Sequence, residues 1–126
     1  MISLKKTLTK ILQELDSMQS IEQGNITLPS GITNNGAIRN YYHRVNNICM
    51  VGLDCTPTAR VSSKALCTLP SACRPIRDLR FSIMPGVNRG NYDDGGDQYL
   101  IINTSGQVLY TGSVRIWETF TFFCNG

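Results

Sequence analysis

The amino-acid sequence predicts an all-β domain, an antiparallel β-sandwich or barrel, preceded by an N-terminal coiled-coil helix that assembles into a trimer. Three observations predict it. Apolar residues recur in alternating steps of four and three up to about residue 22. A stretch containing Gly24, Pro29, Gly31 and Gly36 then breaks that period. From Ala37 onward the period becomes two, in some seven short runs separated by turn residues. The chain of 126 residues has room for one compact domain and a short accessory element, here 1–22 as helix, 23–36 as connector and 37–126 as β-structured head. A hydrophobic content of 41% with 17% charged residues fits a folded domain rather than a disordered one.

The first element is a heptad seam. With Met1, Leu8 and Leu15 at position a, the d positions are Leu4, Ile11 and Met18. Leucine at a with isoleucine at d favours three or four strands over two, and Leu12 at e widens the apolar face. Docking of this helix on its own domain is the alternative. Against it, Lys5, Lys6 and Lys10 come early and Glu14, Asp16 and Glu22 late, opposite to what the helix macrodipole favours. A helix of ~20 residues is also marginal alone and needs a partner surface. Leu4, Leu8, Ile11, Leu15 and Met18 are therefore the expected oligomer contacts. The connector that follows has room for one short strand around Ile26 and Leu28.

In the head, "AIRNYYHRV" and "ICMVGLDC" flank Asn46-Asn47, a pair that tolerates positive φ and suits a hairpin turn. Cys49, Val51, Leu53 and Cys55 then share one face. Further strands are expected at 65–69, 79–84, 98–103, 107–111 and 114–124. The last of them places Ile116, Phe120, Phe122 and Cys124 on one face, with Glu118 as the exception.

The stretch "LCTLPSACRP" reads as a strand end at Pro70 followed by a short excursion to Pro75, because proline cannot donate to a ladder. Its cysteines are expected to pack as small apolar groups. A reactive Cys73 would need a base, and the only histidine, His43, is thirty residues upstream. Metal binding is not indicated either. The gaps between Cys49, Cys55, Cys67 and Cys73 are five, eleven and five residues, whereas zinc sites use close pairs. Five cysteines leave one unpaired, which argues against a secreted disulfide framework.

These residues resemble a known family. A strand ending in Leu69-Pro70, then Arg74-Pro75, an apolar strand, and the hairpin "YLIINTSGQVLY" within Gly96 to Val108 look like the head domain of bacteriophage tail fibre and receptor-binding (baseplate) proteins of Gram-positive hosts. The upstream "YYHRVNNICMVGLDC" resembles that family's aromatic-rich strand, tight turn and next strand, so the resemblance spans about 37–126. It implies a homotrimer in the phage virion, assembled in the bacterial cytoplasm, whose heads recognise host cell-wall saccharide or contact other tail or baseplate proteins. It implies neither an enzyme nor a cofactor.

The remaining chemistry is weighed residue by residue. Basic residues are scattered under a net charge of +3, without the dense basic face of a nucleic-acid binder. No apolar run is long enough for membrane insertion. The carboxylates Asp54, Asp78, Asp93, Asp94, Asp97 and Glu118 show no glycosidase pairing by spacing. A hydrolase would have to use Glu118, for which a salt bridge is the expected role. The polar loop "NRGNYDDGGDQ" offers Arg89, Tyr92 and Asp94 as saccharide contacts, with Trp117 as an aromatic platform and Tyr110 as its alternative.

Overall fold

Alternating apolar residues make strands that must bury one face, and here two antiparallel sheets do so against each other. The structure, a computed structural model, describes residues 3–18, 20–36, 40–84 and 96–125. Among the described residues one α-helix, α1 (Leu4–Met18), precedes nine strands: β1 (Ile21–Asn25), β2 (Ile32–Asn34), β3 (Tyr41–Val45), β4 (Ile48–Pro57), β5 (Val61–Thr68), β6 (Leu79–Ser82), β7 (Tyr99–Ile102), β8 (Gln107–Gly112) and β9 (Ile116–Phe123). The first sheet is built on β4, which pairs with β9 along one edge and with β3 and β2, end to end, along the other; β1 lies outside β3. The second sheet runs β5-β8-β7-β6. Both sheets are open, so the fold is all-β without closure into a barrel.

One core lies between them. Cys49, Val51, Leu53 and Cys55 of β4 and Ile116, Phe120 and Phe122 of β9 meet Leu66 of β5, Leu100 and Ile102 of β7, and Val108 and Tyr110 of β8. Phe81 and Phe120, one from each sheet, pack as a tilted pair with centroids 5.0 Å apart. At roughly 1.5–3 kcal/mol per fully buried large apolar side chain, this shared layer is the main force holding the sheets together.

Turn chemistry fixes the register. Asn46 takes φ 54° in the two-residue β3–β4 loop, a conformation asparagine tolerates. Gly106 takes φ +83° in the β7–β8 hairpin, where a Cβ would come within 2.8 Å of the Leu69 carbonyl oxygen. Asn103 accepts hydrogen bonds from the Ser105 and Gln107 amides there, closing the loop on itself.

The helix and connector differ from the boundaries expected above. α1 stops at Met18, and β-structure begins at Ile21 rather than at residue 37. The supposed connector holds most of β1 and all of β2, whereas Ile26 and Leu28 lie between them. The reason is long-range. Arg44 donates to the Ser20 carbonyl at 3.2 Å and to the Ser20 hydroxyl at 2.9 Å, and Asn46 donates its amide to the Ser20 carbonyl at 2.7 Å. Ser20 is thereby pinned to the β3–β4 turn, and the chain enters the sheet instead of continuing the helical period.

In "LCTLPSACRP" β5 ends at Thr68, a 3-10 turn spans Ser71–Cys73, and Pro75 bridges Cys124. All five cysteines are free. Burial pushes the Cys49, Cys55 and Cys67 thiols up to about 12, the state of packing groups rather than nucleophiles.

Candidate functional site

The outer face of the β4 sheet, opposite the core, carries the side chains free to do chemistry. Its rows follow from the register. Ile21, Val45, Ile48 and Phe123 form an exposed apolar row at the end where α1 enters. The next row is Gln23, His43, Met50 and Thr121, and the third is Asn25, Tyr41, Gly52 and Thr119. Beyond it Asp54 faces Trp117. The face therefore grades from apolar beside the helix to polar and aromatic at the far end.

Asp54 is the unusual member, an outward-facing carboxylate that is fully buried. The Nε and Nη2 of Arg115 both donate to its Oδ1 at 2.8 Å. The same guanidinium lies 4.6 Å from the centroid of the Trp117 ring. Asn40 completes the arrangement from the gap between β2 and β3. Its side-chain amide donates to the Asp54 carbonyl at 3.3 Å, and its Oδ1 accepts the Asp54 amide at 2.8 Å. A buried asparagine thus stands in for ladder bonds where one strand hands over to the other. The result is a Trp117 that stays 46% exposed yet is clamped through Arg115 to the sheet interior.

Of the four saccharide contacts expected from sequence, Trp117 is the one described; Arg89, Tyr92 and Asp94 lie outside the described residues. Tyr110 is not a surface platform. It is fully buried, and its hydroxyl donates to the Val114 carbonyl at 2.7 Å. Glu118 faces the core side of β9 opposite Leu53, half-buried and engaged with a partner rather than free. Among the described residues no three His, Cys, Asp or Glu side chains converge as a metal centre would require. No described helix is long and apolar enough to cross a membrane.

The expected oligomer contacts divide likewise. Leu4, Leu8 and Ile11 are 75%, 53% and 47% exposed, and every described side chain from Ser3 to Gln13 is exposed. The side chains of Leu15 and Met18 lie outside the described residues. Ser3 caps the helix, its Oγ accepting the Lys6 amide at 3.3 Å. α1 is thus a capped helix whose apolar stripe is exposed over its described length.

Sequence reasoning missed a groove of about 540 Å³ lined by Gln23, Gly24, Asn25, Tyr41, Tyr42 and His43. Its β1 half falls in the segment read as helix and connector, so no sequence signal brought the two strands together. No family model matches the chain, and no curated protein matches it.

Proposed function

We propose that the chain is a phage or prophage tail-associated protein, a homotrimer joined through α1 whose β-heads attach to host cell-surface saccharide. One observation carries this reading: the exposed apolar stripe of Leu4, Leu8, Ile11 and Leu12 on a capped helix. Leaving such side chains in water forgoes about 1.5–3 kcal/mol each, so a partner helix is the natural cover. Leucine at a with isoleucine at d favours three or four strands over two, and three would gather three heads. Three weak sites held together gain avidity of about 10²–10⁴ without any new contact. Trp117, held by Arg115, is one aromatic contact such a head would present.

Sedimentation with purified Gram-positive cell walls, intact and stripped of their glycan, tests the reading. The expected result is retention on intact walls, loss on stripped walls, and strong weakening in Leu8→Asp, which unmakes the seam without touching the head. Equal retention on both walls, or none on either, overturns it.

A second reading is a structural tail or baseplate module with no receptor. A mostly apolar slot of about 340 Å³ favours it, formed where the β6 and β9 edges approach and lined by Pro75, Ile76, Leu79, Phe81, Phe122 and Phe123 together with Arg77 and Thr121. Such a slot suits a protein side chain better than a sugar.

A further inference from the structure

The polar groove on β1 and β3 has features that the proposed function does not use. We infer that it is the saccharide subsite of the head, built for an uncharged pyranose ring. The inference rests on the attachment reading and adds the location and the ligand class.

Register places the groups. Gln23 stands opposite His43 and Asn25 opposite Tyr41, all four on the outer face of adjacent antiparallel strands. Cross-strand neighbours lie about 4.5–5.5 Å apart, so the two amides, the imidazole and the phenol fall within the span of one sugar ring. Their donor and acceptor inventory is mixed: each amide both donates and accepts, as do a phenol and a neutral imidazole. That is the complement of a ring of hydroxyls, which also do both. Among the described residues none of these four side chains spends its polar tip on an internal hydrogen bond.

Charge narrows the ligand. The alternation of β1 and β3 sends their charged members, Glu22 and Arg44, to the opposite face, where they meet at 3.8 Å. Among the described residues its lining holds no carboxylate, lysine or arginine. Neither an anionic nor a cationic sugar would meet a lysine, arginine or carboxylate among those residues.

Shape narrows it further. The ring of Tyr41 lies over Gly52, where a Cβ would collide with it, so the absence of a side chain on β4 seats the ring against the sheet. Tyr41 remains half-exposed. It offers an aromatic surface with a polar rim, the combination that suits the apolar face and hydroxyl edge of a pyranose. The volume, about 540 Å³, falls within the roughly 300–1,000 Å³ of small-molecule sites.

His43 is the only histidine in the chain, so its ring protons report on this groove alone. The test is a proton NMR titration of the full, untagged chain with methyl β-glucopyranoside, N-acetylglucosamine, glycerol and N-acetylneuraminic acid. The expected result is movement of the His43 ring signals with a neutral pyranose, and not with glycerol or the anionic sugar. Gln23→Ala and Tyr41→Phe should each weaken that binding by roughly threefold to tenfold through loss of a hydrogen bond, and Tyr41→Ala by more. Gln23 is on the sheet surface, so its variant keeps the test readable if Tyr41→Ala unfolds. A neutral sugar that moves the Trp117 indole signal and leaves His43 still overturns the groove but keeps the attachment reading. Movement of His43 by glycerol or N-acetylneuraminic acid as strong as by the pyranoses overturns the ligand class. Binding of the chain to intact walls with no response to any probe overturns the inference while leaving attachment in place.

Discussion

Leu53 on β4 and Leu8 on α1 are the same residue in the same chain, with opposite fates. Leu53 is completely buried between two sheets, whereas Leu8 stays 53% exposed on its helix. The head is a finished structure: two sheets enclose one core, and its outward-facing buried carboxylate, Asp54, has Arg115. The helix is unfinished. It has its cap and its apolar stripe, but its described apolar side chains stay exposed. The difference teaches where the energy of each element comes from: within the chain for the head and, on the proposed reading, from other copies for the helix.

The largest effect that would sharpen this contrast is in the head. Arg115→Ala leaves the buried Asp54 carboxylate without its cation and should cost about 3–5 kcal/mol in urea unfolding. A loss below ~1 kcal/mol would show the pair to be dispensable. Leu53→Ala follows at about 2–5 kcal/mol, the transfer term plus a cavity between the sheets. Gly106→Val should come next, at about 1–3 kcal/mol, because it forces a branched side chain into φ +83° against the Leu69 carbonyl. At the small end, Leu8→Ala should change head unfolding by less than ~0.5 kcal/mol while altering the assembly state. A head destabilised as much by Leu8→Ala as by Leu53→Ala would erase the contrast.

The thiols give the head a pH signature that the helix lacks. Cys49, Cys55 and Cys67 titrate near 9 when exposed and at about 12 when folded, because burial disfavours the thiolate. Between those values the unfolded chain loses protons that the folded chain keeps, so stability is full below about pH 9 and falls as pH rises toward 12. Thermal unfolding at pH 8, 9.5 and 11 should show a declining midpoint for the wild type and a shallower decline for Cys67→Ala.

The parts legible in the sequence were those that local chemistry dictates. Asn46-Asn47 marks its hairpin, Gly106 marks another, and the alternation through Cys49, Val51, Leu53 and Cys55 gives the core face of β4. Pro70 and Pro75 announce the end of β5 and the turn beyond. What local pattern does not carry is pairing across long separations. Ile21 falls within the stretch read as helix to about residue 22, and the Arg44 and Asn46 bonds to Ser20 bring the chain into the sheet there instead. The groove was hidden for the same reason, since Gln23 and His43 become neighbours only once β1 pairs with β3. Asp54 looked like one carboxylate among six. Its burial depends on Arg115, sixty-one residues away.

The account turns on the helix being covered by copies of itself. Light scattering after size exclusion under reducing conditions, on the wild type and on Leu8→Asp, tests this most directly. The account predicts a mass near three times 14.0 kDa for the wild type and near 14.0 kDa for the variant, with the head still folded by circular dichroism. A wild-type mass of 14.0 kDa at concentrations where the head is folded would contradict it.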